Sequence, residues 1–238
     1  MRFPIRLVEA RSLSPSVRGL VFEPLAAGFT YRAGQSVQLT VPTAAGLSMR
    51  RPYSLSSAPG SLDGGRFEIA VTRIENGPTS TALHALPVGS EIIAEGPHGG
   101  WLSLRTDERK LRTLLVATGS GLAPLRSLVQ EQLQLARCVP LGLLIGCRTI
   151  DDILWRDELH SWTLEPACLH VEVTLSKPGP EWTGRAGYVQ RHLHEVARRL
   201  VPELVLICGL SPIVDEVESR ARRLGVSDDA IRTEVYDR

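Results

Sequence analysis

A chain of 238 residues has room for one large domain or for two of ordinary size. Its 43% hydrophobic share supports a real core, while a formal net charge of +1 gives no general pull toward nucleic acid or an anionic membrane. No apolar run reaches membrane-spanning length, and Met1-Arg2-Phe3-Pro4-Ile5-Arg6 has no signal-peptide core, so a cytoplasmic protein is expected.

From Met1 to about Leu104 the chain shows short alternating runs broken by glycine and proline. Val17–Phe22 and Glu91–Glu95 read as strands, Ser36–Val41 puts Val37, Leu39 and Val41 on one face, and Arg66–Ile74 alternates strictly from Phe67 to Val71. Turn residues at Gly28, Gly34, Pro59-Gly60 and Asn76-Gly77-Pro78 separate them, which predicts an antiparallel barrel or sandwich. One short helix is expected from about Ser80 to Leu86, capped by Thr79 or Ser80.

Two stretches of this half carry more chemistry than a scaffold needs. In Arg50-Arg51-Pro52-Tyr53-Ser54 an extended strand offers a guanidinium, an aromatic face and a hydroxyl, a set suited to one flat phosphorylated ligand. The competing reading makes Arg51 and Tyr53 a surface pair flanking the strand. Gly77-Pro78-Thr79-Ser80 leads a glycine turn into a helix, giving either a second anion site or a plain N-cap.

Arg105–Lys110 is a polar run without apolar periodicity, and the pattern changes after it, so the domains are drawn at 1–106 and 107–238. Strand candidates at Thr113–Ala117, Leu141–Ile145, Val171–Leu175, Leu204–Ile207 and Ile231–Tyr236 alternate with helices near 124–136, 152–162, 188–200 and 212–224. Asp151 or Asp152 and Ser211 are the expected N-caps. Such βα units build a mainly parallel sheet, with ligands beyond the carboxyl ends of its strands. The loops there are Thr118-Gly119-Ser120-Gly121-Leu122-Ala123-Pro124, Gly146-Cys147-Arg148, Ser176-Lys177 and Cys208-Gly209. The first aims bare backbone and a helix N-terminus at a phosphate, or is an ordinary tight βα turn. Cys138, Cys147, Cys168 and Cys208 show no metal-site spacing, and a reduced set is the simplest account.

Arg51-Pro52-Tyr53-Ser54, Gly77 to Ser80, Thr118 to Pro124 and Cys208-Gly209, in that order, resemble the ferredoxin–NADP reductase superfamily over essentially the whole chain. The resemblance implies two domains: a six-stranded antiparallel β-barrel holding FAD, then an α/β five-stranded parallel sheet holding NAD(P). It assigns Arg51, with Pro52 beside it, to the flavin pyrophosphate, Tyr53 to the isoalloxazine or ribityl chain, and Ser54 to flavin N5. Gly77, Thr79 and Ser80 match a second pyrophosphate segment; Thr118, Gly119, Gly121 and Pro124 match the coenzyme loop. Cys208 and Gly209 would border the nicotinamide. Glu234-Val235-Tyr236 is similar to the acidic–aromatic ending whose aromatic covers the flavin, although Asp237 and Arg238 follow it here. Ser54, Cys208, Glu234 and Tyr236 are thus the catalytic candidates.

Ser176, Lys177 and Tyr188 resemble the set that holds a 2′-phosphate, with Arg148 a further coenzyme candidate; the set implies a preference for NADPH, although lysine stands where arginine is usual and lacks its bidentate fork, and NADH is the second coenzyme. No metal ligands are expected. The implied activity is hydride transfer to FAD, then single electrons to a separate ferredoxin or flavodoxin, by a monomer. A free-flavin or quinone reductase, the electron-transfer subunit of a larger oxidoreductase, and a non-catalytic redox-sensing module are the alternatives.

Overall fold

The computed structural model describes residues 1–43, 46–135, 139–164 and 168–236. Six strands form the first half: β1 (Arg2–Ser14), β2 (Val17–Pro24), β3 (Gln35–Pro42), β4 (Ser48–Ser54), β5 (Phe67–Thr72) and β6 (Glu91–Gly99). They make one antiparallel sheet in the order β4-β3-β6-β1-β2-β5. Leu55, just past β4, bridges Ile69 of β5, so the two edges of the curled sheet meet. The alternation seen in sequence is the reason for the curl: Val37, Leu39, Val41, Phe67, Ile69 and Val71 all point into a closed apolar interior. Each such side chain contributes on the order of 1.5–3 kcal/mol by leaving water. The first strand was not singled out from the sequence. Its buried Phe3, Ile5 and Leu7 alternate with charged or proline residues, but Pro4 breaks the run as a pattern while sitting harmlessly in the sheet.

The second half contains β7 (Thr113–Thr118), α2 (Leu122–Leu133), β8 (Leu141–Cys147), α3 (Arg156–Leu164), β9 (Leu169–Leu175), β10 (Arg185–Ala186), α4 (Val189–Leu200), β11 (Leu204–Gly209), α5 (Ser211–Arg223) and β12 (Ile231–Val235), with α1 (Pro78–Ala85) belonging to the first. The sheet order is β10-β9-β8-β7-β11-β12, every pairing parallel. Five of these strands lie where expected, and the sixth, β10, is a two-residue edge strand too short to leave a periodic signal. Alternate residues of the central strands face opposite layers. Leu115, Leu143 and Leu206 pack with Leu125 and Leu128 of α2, whereas Leu114, Leu144 and Val205 pack with Leu193 of α4 and Val217 of α5.

Several helix starts differ from expectation. Ser211 is the first residue of α5 and Leu210 precedes it. Neither Asp151 nor Asp152 caps α3. Instead Thr149 caps a short 3₁₀ turn, Ile150–Asp152, and Asp152 closes a capping box by accepting the Thr149 amide at 2.9 Å. The cysteines are also not uniformly reduced: Cys168 is disulfide-bonded, while Cys147 and Cys208 are free and buried. Sequence spacing constrains local metal motifs but not pairing in space, and Cys138 lies outside the described residues.

Two buried arginines help tie the halves together. Arg232 of β12 donates to the Ser103 carbonyl at 3.1 Å and pairs with the Glu108 carboxylate. Arg126 of α2 donates to the Ser56 carbonyl at 2.7 Å and to Glu68 at 2.9 Å.

Candidate active site

The end of β4 and the end of β12 meet at a short hydrogen-bonded chain. Ser54 Oγ donates to Glu234 Oε1 at 2.9 Å, and the Tyr236 hydroxyl donates to Ser54 Oγ at 3.0 Å. Register places the third member: β12 pairs with β11 so that Glu234 stands opposite Cys208, and the Tyr236 amide donates to the Gly209 carbonyl at 3.1 Å. The catalytic candidates therefore converge from both halves of the chain. Burial raises the Glu234 carboxyl above its usual range, against the pull of the Ser54 hydroxyl. Burial also raises the Cys208 thiol, with the Glu234 charge adding to it, so Cys208 is a neutral thiol rather than a nucleophile. Tyr236 is pushed up by burial of its hydroxyl, then by Cys208 and Glu234, although the residue is 39% exposed as a whole: its ring faces out and its polar end faces in.

The glycine turn lies against the same point. β7 ends at Thr118, Gly119–Gly121 form a 3₁₀ turn with Gly119 at φ 52°, and α2 follows with Pro124 in its first turn. A Cβ on Gly121 would stand 2.3 Å from the Cys208 carbonyl oxygen, and one on Gly209 would stand 2.3 Å from Thr118 Oγ1. Only glycines let the turn before α2 and the end of β11 approach each other this closely. Thr118 Oγ1 itself is buried with no hydrogen-bond partner. A cleft of about 310 Å³ opens here, with Thr118, Gly119, Arg148 and Tyr236 on one side and Ser16 and Thr72 of the barrel on the other. It is walled by both halves, as a site joining two cofactors requires.

A cationic corner sits at the adjoining strand ends. The Ser176 amide donates to the Cys147 carbonyl at 2.9 Å and the Lys177 amide to the Arg148 carbonyl at 2.8 Å, so the two loops run side by side and carry both cations. Arg148 and Lys177 are exposed, and Tyr188, 54% exposed, stands at the start of α4 where the Gly187 amide donates to the Leu175 carbonyl. Ser176, Lys177, Arg148 and Tyr188 thus share one end of the sheet.

On the barrel, Arg51 is exposed and donates within the strand to the Arg50 carbonyl at 2.9 Å. Tyr53 packs on the barrel interior, and burial raises its phenol to about 12 against the nearby Arg51 charge. The helix α1 corrects two expectations. Its N-cap is Gly77, with Pro78 at the first position, so neither Thr79 nor Ser80 caps it. Ser80 Oγ instead donates to the Gly77 carbonyl at 3.1 Å and accepts from the Ile74 amide at 3.1 Å, bracing the turn from inside. Thr79 Oγ1 is buried and unpartnered. Residues 237 and 238, which follow the aromatic, lie outside the described residues.

Sequence reading missed Arg126, Ser127 and Gln130. They sit in α2 behind the glycine turn, and the arginine and serine between the apolar residues Leu125 and Leu128 were the available signal.

Comparison with known proteins agrees with this architecture. Residues 4–102 match the family described as oxidoreductase FAD-binding domain and residues 115–219 that described as oxidoreductase NAD-binding domain. The chain is 42% identical over 244 aligned positions to ferredoxin–NADP reductase B of Sorangium cellulosum, covering 99% of this chain and 98% of that one. Among solved structures, the ferredoxin reductase in carbazole 1,9a-dioxygenase superposes with a TM-score of 0.84 at 20% identity, over 99% of this chain and 69% of the other. The ferredoxin-NADP+ reductase of Plasmodium falciparum, determined with 2′P-AMP, gives 0.80 at 20% identity over 99% and 96%. At such identities the two structures establish the shared fold.

Proposed function

The chain belongs to the ferredoxin–NADP reductase family, and from that premise we propose that it moves a hydride from NADPH to FAD and single electrons onward to a separate ferredoxin-type carrier. FAD, when bound, supplies an N5 atom that accepts a hydride and releases electrons one at a time. The residues present suit such a group: an exposed guanidinium on β4, an aromatic two positions on, a hydroxyl at the strand end, and unpartnered threonine hydroxyls at both glycine turns.

The observation that carries the reading is the chain Tyr236–Ser54–Glu234 beside Cys208, where the FAD-side strand and the coenzyme-side sheet share hydrogen bonds. Ser54 holds the reacting edge of the flavin, and Glu234 with neutral Cys208 lines the nicotinamide position without offering a competing nucleophile. Arg51 holds the flavin pyrophosphate, Pro52 keeps its strand extended, and Tyr53 stacks. Gly77, Thr79 and the braced Ser80 present backbone at the second phosphate segment. Thr118, Gly119, Gly121, Pro124 and Gly209 let the coenzyme approach bare backbone at the start of α2. Arg148, Ser176, Lys177 and Tyr188 hold the 2′-phosphate, which favours NADPH over NADH. Tyr236 covers the flavin and yields to the nicotinamide.

We place the domain join between residues 106 and 107, take a flavodoxin as an alternative acceptor, and take the working form to be a cytoplasmic monomer. The test is the visible spectrum of the purified protein before and after anaerobic NADPH. A flavin spectrum that bleaches, followed by reduction of an added ferredoxin, is expected. Protein that is colourless and takes up no FAD when supplied with it overturns the reading.

A further inference from the structure

We propose that Arg126, with Ser127 and Gln130, is a positioning group that sets the distance between the flavin-side strand and the coenzyme loop. This rests on the reading in which Ser54 faces the flavin and Gly119–Gly121 face the coenzyme.

Helix α2 is in contact with both. Its start is pressed against β11, since Gly121 leaves no room for a Cβ beside the Cys208 carbonyl. One turn further on, its side chains grip three successive residues of the segment that follows Ser54. Arg126 donates to the Ser56 carbonyl at 2.7 Å, Ser127 Oγ to the Ser57 carbonyl at 2.8 Å, and Gln130 accepts the Ala58 amide at 2.8 Å. Ser56 is two positions beyond Ser54, and Arg126 is five positions beyond Gly121. The chain leaves little slack on either side, so a shift of α2 is a shift of one reacting partner against the other.

The grip is built into the interior. Arg126 is 6% exposed, Ser127 0%, and Ser56 and Ser57 0% and 1%. The buried guanidinium is balanced by Glu68 at 2.9 Å and by Glu158, and it lies 4.6 Å over the Trp155 ring. Glu68 has its own further partners, Arg11 at 2.8 Å and the Trp155 indole at 3.2 Å, and Gln130 donates to Glu158 at 2.6 Å. A simple stability clamp would need only the ion pair. The three bonds to consecutive backbone groups fix direction and register as well, as fork-shaped donors do. Because hydride transfer falls steeply with misplacement of the reacting atoms, a displacement near 1 Å costs roughly a hundredfold.

Arg126→Gln, Ser127→Ala and Gln130→Leu test this in the full-length, FAD-loaded protein. Removing Arg126 leaves Glu68 with Arg11 and Trp155 and the partly exposed Glu158 with Gln130, so each carboxylate keeps a hydrogen-bond partner and the fold is expected to survive at reduced stability. Anaerobic stopped-flow mixing with NADPH should show flavin reduction slowed about tenfold or more in Arg126→Gln, with KM for NADPH changed less than about twofold and FAD content unchanged. Arg126→Lys should restore part of the rate, since it keeps the charge without the fork. Independently of turnover, hydrogen exchange should accelerate in the peptide spanning residues 55–60 while the strands of the barrel stay protected.

Unchanged reduction rates and unchanged exchange at 55–60 in folded variants overturn the proposal. So does a fall in rate matched by FAD loss or by exchange rising throughout, which marks a purely structural role. If Arg126→Gln does not fold, Ser127→Ala and Gln130→Leu decide on the same readouts. A wild-type protein that takes no FAD would instead remove the underlying functional reading, and the exchange measurement would still report on the grip.

Discussion

Ser54 Oγ and Glu234 Oε1 lie 2.9 Å apart although 180 residues separate them in sequence. The bond joins the last residue of a barrel strand to the last strand of the parallel sheet, and it does so with a carboxyl that burial holds above its ordinary range. A carboxyl in that position titrates nearer to working pH than a surface glutamate, and its protonation removes the negative charge to which the Ser54 hydroxyl donates. Lowering the pH toward the raised Glu234 value should therefore reduce kcat/KM for NADPH, an acid limb lying above the usual 4.5 of a free glutamate. Glu234→Gln should remove this limb and leave a lower, flatter profile. A wild-type limb that persists unchanged in Glu234→Gln assigns it to another group.

Tyr236 is the outward-facing member of the same chain, 39% exposed as a residue and with its hydroxyl on Ser54 at 3.0 Å. Aromatic stacking of this kind is worth about 0.5–1.5 kcal/mol. Tyr236→Ser should thus alter coenzyme affinity or the NADPH-to-NADH preference by roughly three- to tenfold, with FAD still bound. Steady-state constants for both coenzymes measure this, and identical values in the variant would exclude a covering role for the ring.

The cationic corner predicts coenzyme choice. Arg148 and Lys177 come from different loops that hydrogen-bond to each other through backbone, which brings both cations to the same end of the sheet. A charge-assisted bond to phosphate contributes about 1.5–3 kcal/mol. Lys177→Ala or Arg148→Ala should raise KM for NADPH about tenfold or more and leave KM for NADH within about twofold. Equal losses with both coenzymes would place the 2′-phosphate elsewhere.

On the barrel side, Arg51 is exposed, and the hydrogen bond its guanidinium makes among the described residues stays within its own strand, so its charge is available to an anion. Arg51→Ala should weaken FAD retention by about tenfold or more while leaving the melting temperature of the FAD-free protein unchanged. Flavin content after gel filtration, compared with wild type, gives the answer, and full flavination of the variant would count against the clamp.

What the sequence made legible follows from what periodicity can carry. The buried alternation of β3 and β5 and the apolar runs of β7, β8 and β11 announced an antiparallel half and a parallel half, because each residue's face is set locally. The glycine turn was legible for the same reason. The role of Ser80 was not: a serine at a helix start reads as a cap, and only the turn of Ile74 and Gly77 over it shows that its hydroxyl faces inward. Nor were Arg126 and Glu68 legible as partners, since 58 residues and two domains separate them and neither sits in a motif. The contact that brings Ser54 to Glu234 was implied only by resemblance, as no local pattern records which strand ends will meet.

The buried pair of Arg232 with Glu108, at the join between the halves, gives a prediction about stability. Their side chains are 9% and 4% exposed, and Arg232 also holds the Ser103 carbonyl at 3.1 Å. Burial pushes Glu108 up, but the Arg105 amide and the Arg232 and Arg105 charges outweigh it and hold the carboxyl below its ordinary value. A carboxyl lowered on folding contributes stability that is present above the unfolded value near 4.5 and is lost as pH falls through the folded value. Glu108→Gln leaves a buried guanidinium without its counter-charge, which costs about 3–5 kcal/mol. Denaturant unfolding at neutral pH should therefore show a loss of that order, and the difference between variant and wild type should shrink as pH falls below 4.5 and through the lowered folded value, where the wild-type carboxylate is itself protonated. A difference that stays constant from neutral to acid pH would mean that the pair adds no net charge interaction at this junction.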